Sequence, residues 1–186
     1  IISHSDSDHI GGAINLVNYV KVENLLLSYY DKTKNTNYLK KYSNKTYYLK
    51  QKDVISNKYF KFSVLAPFKD FGNINDNSLV FILELNNTKF LFTGDISSKV
   101  EKELIKEKIK VDFIKIAHHG SKTSTSDEYI NNINYKHAIV MSGYYNTFGF
   151  PIEDIMNKIP KTKQLRTDQL QTIILQYRKN QFIIKN

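Results

Sequence analysis

Apolar residues along the chain follow two spacings, and each switch between them marks an element. Residues 59–65 alternate through Phe60, Phe62 and Val64, the pattern of a strand with one buried face, and Pro67 ends it. Two apolar runs, 78–85 and 89–93, are joined by Asn86-Asn87-Thr88 and predict a hairpin. Shorter strand patterns fall near Leu25-Leu26-Leu27 and at 46–49, 111–116, 138–141 and 164–166, and a second hairpin pairs 172–177 with 181–184. Helical spacing predicts a helix over 12–20, with Ile14, Leu16 and Val17 apolar. Ser98 and Glu101 stand at capping-box spacing before Leu104 and Ile105, and Thr125 and Glu128 do so before Tyr129, Ile130 and Ile133. A further helix is expected over 152–158, whereas 31–44 is polar, with Tyr38 and Leu39 its buried candidates. The strand–helix alternation of the second half predicts an α/β protein.

With 186 residues, 41% hydrophobic and 13% aromatic, the chain can build one packed core and reads as a single domain, 1–186. No apolar run reaches the ~18 residues of a membrane-crossing helix, and no basic-then-apolar signal pattern opens it, so this stretch is expected to be soluble. Zero cysteines exclude disulfide partners and thiolate ligands, which leaves histidine and carboxylate to hold any metal. The formal charge of +9, from 27 Lys and Arg against 18 Asp and Glu, favours polyanionic partners through counterion release. Charge alone names no surface, because Lys40, Lys41, Lys50 and Lys52 lie far along the chain from the chemistry-bearing residues.

That chemistry begins at once. Ser3-His4-Ser5-Asp6-Ser7-Asp8-His9-Ile10-Gly11-Gly12 brings two histidines and two aspartates together. The spacing His-x-Asp-x-Asp-His does not fit one face of a strand or helix and suits a tight loop around two cations, with Gly11 and Gly12 allowing close backbone approach; a polar surface turn is the plain alternative. Downstream stand Thr93-Gly94-Asp95, Ala117-His118-His119-Gly120-Ser121-Lys122-Thr123-Ser124, Ser142-Gly143 with Asn146, Phe148-Gly149-Phe150-Pro151, and Arg166-Thr167-Asp168. Asp95 alone also suits a turn or helix cap, and His137, without ligand neighbours, reads as structural.

Together these motifs resemble the metallo-β-lactamase superfamily, and within it the carboxyl-terminal domain of ComEC family competence proteins, from His4 to about Asp168. The resemblance implies an αββα sandwich with its ligands at one end of two sheets. The family places further strands ahead of the first motif, so a domain lacking its N-terminal strands is expected. It also implies two divalent metal ions, Mn2+ or Zn2+ with Mg2+ as a further option, since Asp6 hardens a position where histidine is commoner. His4 and Asp6 would hold one ion, Asp8, His9 and His119 the other, and Asp95 would bridge them. His118 and Asp8 would be catalytic, His118 as general acid, with the roles of His118 and His119 open to exchange. Ions about 3.5–4 Å apart would generate an attacking hydroxide and clamp the leaving oxygen. Ser121, Lys122, Asn146 and Arg166 would meet substrate phosphates, against ordinary surface roles for all four.

The departures fall late: Phe150 stands where the family has histidine, Phe148 where it has tyrosine, and Gln171 where it tends to have glycine. The implied activity is a phosphodiesterase or nuclease acting on DNA during uptake. Its partner would be a membrane channel portion of the same full-length protein, which would place the domain on the membrane and outside the cytoplasm. A cytoplasmic placement, a hydrolase of small phosphodiesters, and a catalytically degenerate nucleic-acid-binding remnant are the alternatives.

Overall fold

The computed structural model describes residues 1–185. In chain order the elements are α1 (Ser7–Leu16), β1 (Val22–Ser28), α2 (Lys34–Lys40), β2 (Ser43–Leu49), β3 (Val54–Ser56), β4 (Phe60–Ala66), β5 (Val80–Leu85), β6 (Thr88–Phe92), α3 (Ser98–Leu104), β7 (Phe113–Lys115), α4 (Asp127–Asn132), β8 (His137–Val140), α5 (Glu153–Asn157), β9 (Gln164–Arg166), α6 (Thr167–Leu170), β10 (Ile174–Arg178) and β11 (Gln181–Lys185). Seven strands form one sheet in the order β3-β4-β5-β6-β7-β8-β9; β1-β2 and β10-β11 are separate two-stranded sheets. The sheet is antiparallel from β3 to β6 and parallel from β6 to β9. Parallel neighbours need crossovers, and α3, α4 and α5 supply them. Asn86 and Asn87, at φ 48° and 63°, make the tight turn that joins β5 to β6.

Three apolar clusters set the layers. Ile10 of α1 and Leu39 of α2 pack on Leu25 and Leu27 of β1. Leu26, Tyr47 and Leu49 of the small sheet face Phe62, Val64 and Phe81 of the large one. On the large sheet's other face, Leu91, Ile114 and Ala138 meet Val100, Leu104, Ile130 and Ile155. Helix, sheet, sheet, helix is the αββα sandwich expected, and the burial of Phe62 and Val64 two positions apart is what makes β4 an inter-sheet strand.

Local boundaries differ from expectation where one-residue shifts change chemistry. The first helix starts at Ser7 rather than near Gly12, so Asp6 sits at its N-cap and Asp8 and His9 occupy its first turn. Gly11 and Gly12 lie inside this helix, and a Cβ on either would meet nothing within 4 Å, so neither serves close backbone approach. Ser97, not Ser98, caps α3. Glu101 is fully buried and accepts instead from the backbone N–H of Thr125 (2.5 Å) and Ser126 (2.9 Å). Ser126 caps α4 because Thr125, at φ 56°, cannot adopt the extended backbone an N-cap needs.

Candidate metal centre

Strand ends deliver the motifs to one place. Residues after β6 give Asp95, those after β7 give His118 and His119, and those after β8 give Met141 and Ser142. The first motif enters between the sheets: Ile2 N–H donates to Leu26 O (3.0 Å) and Leu79 N–H to Ser3 O (2.8 Å). Gly94 has φ +57°, and a Cβ there would stand 2.5 Å from Ser78 Cβ. Only glycine lets the chain turn there so that Asp95 N–H donates to Ser78 Oγ at 3.2 Å. His118 and His119 are both left-handed (φ 48° and 55°). Such backbone costs on the order of 1–3 kcal/mol per residue and persists where the surroundings over-determine it.

Ligand atoms of Asp8, His9, Asp95 and His119 all lie within 4.8 Å of one another. Asp95 Oδ2 is 3.2 Å from both His9 Nε2 and His119 Nε2. Asp8 Oδ2 is 3.1 Å from His119 Nε2, and the two imidazole Nε2 atoms are 3.3 Å apart. His4 and Asp6 stand alongside, His4 Nε2 being 3.8 Å from Asp6 Oδ2 and its ring centroid 4.0 Å from that of His9. The other ring nitrogens are tied back: His4 Nδ1 by Ser3 and Ser78 Oγ (3.1 and 3.2 Å), His9 Nδ1 by Ser3 Oγ (3.1 Å), and His119 Nδ1 by Met141 O (2.6 Å). Anchoring one nitrogen orients the other, as metal-binding histidines require. His4 Nε2 is buried without a hydrogen-bond partner. A buried unpartnered nitrogen beside two more converging on carboxylates fits a divalent cation held by N and O donors.

Sequence reasoning missed Lys115. Its ammonium lies 3.4 Å from Asp95 Oδ1 and donates to Gly94 O at 3.0 Å. Burial drives this ammonium's pKa down, with Asp95 opposing. Burial also pushes the Asp95 carboxyl up, but hydrogen bonds from His119 and His9, together with Lys115, hold it well below the usual carboxylate range. The bond to Asp95 raises His119, against burial. Burial, aided by His9, lowers His4 to about 4. A lysine inside the otherwise apolar run Phe113-Ile114-Lys115-Ile116 was the available signal.

The cluster forms the floor of a cavity of about 690 Å³, walled by His118, Met141, Ser142, Asn146, Phe148, Phe150 and Thr167 among others. His118 stands outside the cluster, with Nδ1 3.2 Å from Thr123 Oγ1. Of the expected substrate contacts, Asn146 lines the cavity. Ser121 is buried, with its hydroxyl 3.1 Å from Thr123 Oγ1. Asn146 spends its amide on Gly143 O and on both Phe150 backbone groups. Arg166 is paired with Asp168 through two hydrogen bonds. Lys122 is exposed, and neither it nor Arg166 lines the cavity.

Lysines remote in sequence gather next to the first motif. Ser5 Oγ donates to Asp31 Oδ1 (2.8 Å), and from there Lys32 Nζ lies over the rings of Tyr29 and Tyr48 (5.0 and 5.8 Å). Lys50 Nζ lies over Tyr29 (5.1 Å) and Lys40 Nζ over Tyr48 (5.8 Å). None of the three lysines forms an ion pair among the described residues.

This fold with this site defines a metal-dependent hydrolase class. The chain belongs to the metallo-beta-lactamase superfamily, whose model matches residues 1–144. It is similar to ComE operon protein 3 of Bacillus subtilis, 32% identical over 96% of this chain and 24% of that protein. It is also similar to Recombination protein 2 of Haemophilus influenzae, 30% identical over 88% of this chain and 20% of that protein. The resemblance to ComEC family competence proteins is thereby borne out, and the chain spans about a quarter or less of these relatives' length. Among solved structures, a candidate metal-dependent hydrolase from Parabacteroides distasonis shares the fold with TM-score 0.58 at 18% identity, over 90% of this chain and 74% of that one. No helix among the described residues is long and apolar enough to cross a membrane.

Proposed function

We propose that this domain is a metal-dependent phosphodiesterase that hydrolyses DNA, working beside a membrane channel carried by the same full-length protein during uptake. The observation that carries the reading is the convergence of two carboxylates and two imidazoles at an open cavity. The names of two relatives, Competence protein ComA and Recombination protein 2, support the DNA setting.

Asp8, His9, Asp95 and His119 would hold one cation and His4 and Asp6 a second, with Asp95 shared. Cations bound there would supply Lewis-acid activation of water and neutralise charge at the phosphate. The protein's own groups do the rest. Ser3, Ser78 and the Met141 carbonyl orient the imidazoles. Lys115 holds Asp95 ionised and in place. His118, tied at Nδ1 to Thr123, lines the cavity and would protonate the leaving oxygen as the P–O bond breaks.

The test is hydrolysis of single-stranded DNA, duplex DNA and a chromogenic phosphodiester with Mn2+, Zn2+ or Mg2+, alongside metal analysis of the protein and of Asp95→Ala. Metal-dependent cleavage of DNA, lost with bound metal in Asp95→Ala, is expected. Cleavage of the chromogenic diester alone would move the assignment to small phosphodiesters. Metal binding without cleavage of any substrate would overturn hydrolysis.

A further inference from the structure

Three rings climb out of the metal centre in near-parallel steps. Phe150 lies 6.4 Å from His119 at an interplanar angle of 15°, and Phe148 lies 5.7 Å from Phe150 at 16°. Phe148, the outermost, is 75% exposed.

The loop that presents these rings is braced. Asn146 Oδ1 accepts from Phe150 N–H (2.8 Å), and Asn146 Nδ2 donates to Phe150 O (2.6 Å). Pro151 packs against Gly120, and Ile152 N–H donates to Gly120 O at 3.0 Å. Phe148 and Phe150 both line the cavity whose lining also holds Asp8, Asp95 and His119. One flat aromatic wall beside a cation-binding floor describes an occupant with an anionic group joined to a flat ring.

We propose that Phe148 and Phe150 form a stacking subsite for a nucleobase adjoining the phosphate at the metal centre. The proposal rests on the phosphodiester reading and adds that the site grips a base as well as a phosphate. An alkyl chain would be served by an enclosing aliphatic groove; a planar base is served by parallel rings open on one side. Stacking tolerates every base, so the subsite gives affinity for nucleotides without sequence preference.

Calorimetric titration of the Mn2+-loaded domain with adenosine 5′-monophosphate, n-octyl phosphate and inorganic phosphate tests this without turnover. Phe148→Ala should weaken the nucleotide by about 5- to 100-fold, leave inorganic phosphate unchanged, and be rescued by Phe148→Tyr. Equal weakening of octyl phosphate would overturn the base assignment in favour of a general apolar surface. An unchanged nucleotide affinity with phosphate still bound would overturn the subsite and leave the phosphodiester reading standing. Failure of both phosphate and nucleotide to bind would overturn both.

Discussion

Replacing Gly120 by alanine should loosen the contact between the histidine turn and the aromatic loop, by an amount the structure separates into two parts. Gly120 has φ +82°, a region where an L-residue costs ~1–2 kcal/mol. The new Cβ would also stand 2.6 Å from Pro151 Cβ and 3.2 Å from Pro151 Cα. Carbon atoms rest ~3.5–4.0 Å apart, so a rigid proline ring must move by about 1 Å, and overpacking of this kind costs ~1–3 kcal/mol. The sum is about 2–5 kcal/mol, which for a chain of this size lowers Tm by on the order of 10 °C. Gly149→Ala is the control: φ is +68°, but no atom lies within 4 Å of the added Cβ, so only the backbone part applies. Urea unfolding of both variants at one pH should therefore separate them by ~1–3 kcal/mol, with Gly120→Ala the weaker. If the two agree within about 0.5 kcal/mol, the Pro151 contact is not what makes glycine necessary at 120.

Lys115→Met removes the cation beside Asp95, and should destabilise the metal-free domain by about 3 kcal/mol while enlarging the stabilisation seen on adding Mn2+; an unchanged metal-induced Tm shift would contradict this. Burial, aided by Lys136, holds the His137 imidazole below its usual value. The folded state thus disfavours its protonation, and stability present above the unfolded value of about 6.5 falls as pH drops through the folded value. His137→Phe should flatten that slope in unfolding measured between pH 5 and 8. Lys32→Ala and Lys50→Ala should each reduce the salt dependence of single-stranded DNA binding by about 0.7 in log–log slope, and slopes equal to the unaltered domain's would remove this face from the binding surface.

By itself the sequence determined the chemistry on offer and most of the elements that carry it. Period-two alternation marked β4, the two apolar runs marked β5 and β6, and strand–helix alternation marked the parallel half, because burial on one face imposes a period that local composition records. The concentration of histidine and aspartate in 4–9, with Asp95 and His118-His119 after strands, was legible because few other uses need that density. Tertiary structure decided the rest. His9 and His119 are separated by 110 positions, and only the meeting of strand ends brings their Nε2 atoms within 3.3 Å. Lys115, Ser78 and Glu101 acquire their tasks from partners on other elements, as with Glu101 and the backbone of Thr125 and Ser126. Asn146 and Arg166 offered phosphate-binding groups in the sequence, and only the fold shows Asn146 tied to the Phe150 backbone and Arg166 to Asp168. Periodicity reports which side of an element is buried, whereas hydrogen bonding between distant elements depends on where their ends meet, and that is set by the packing of the whole sandwich.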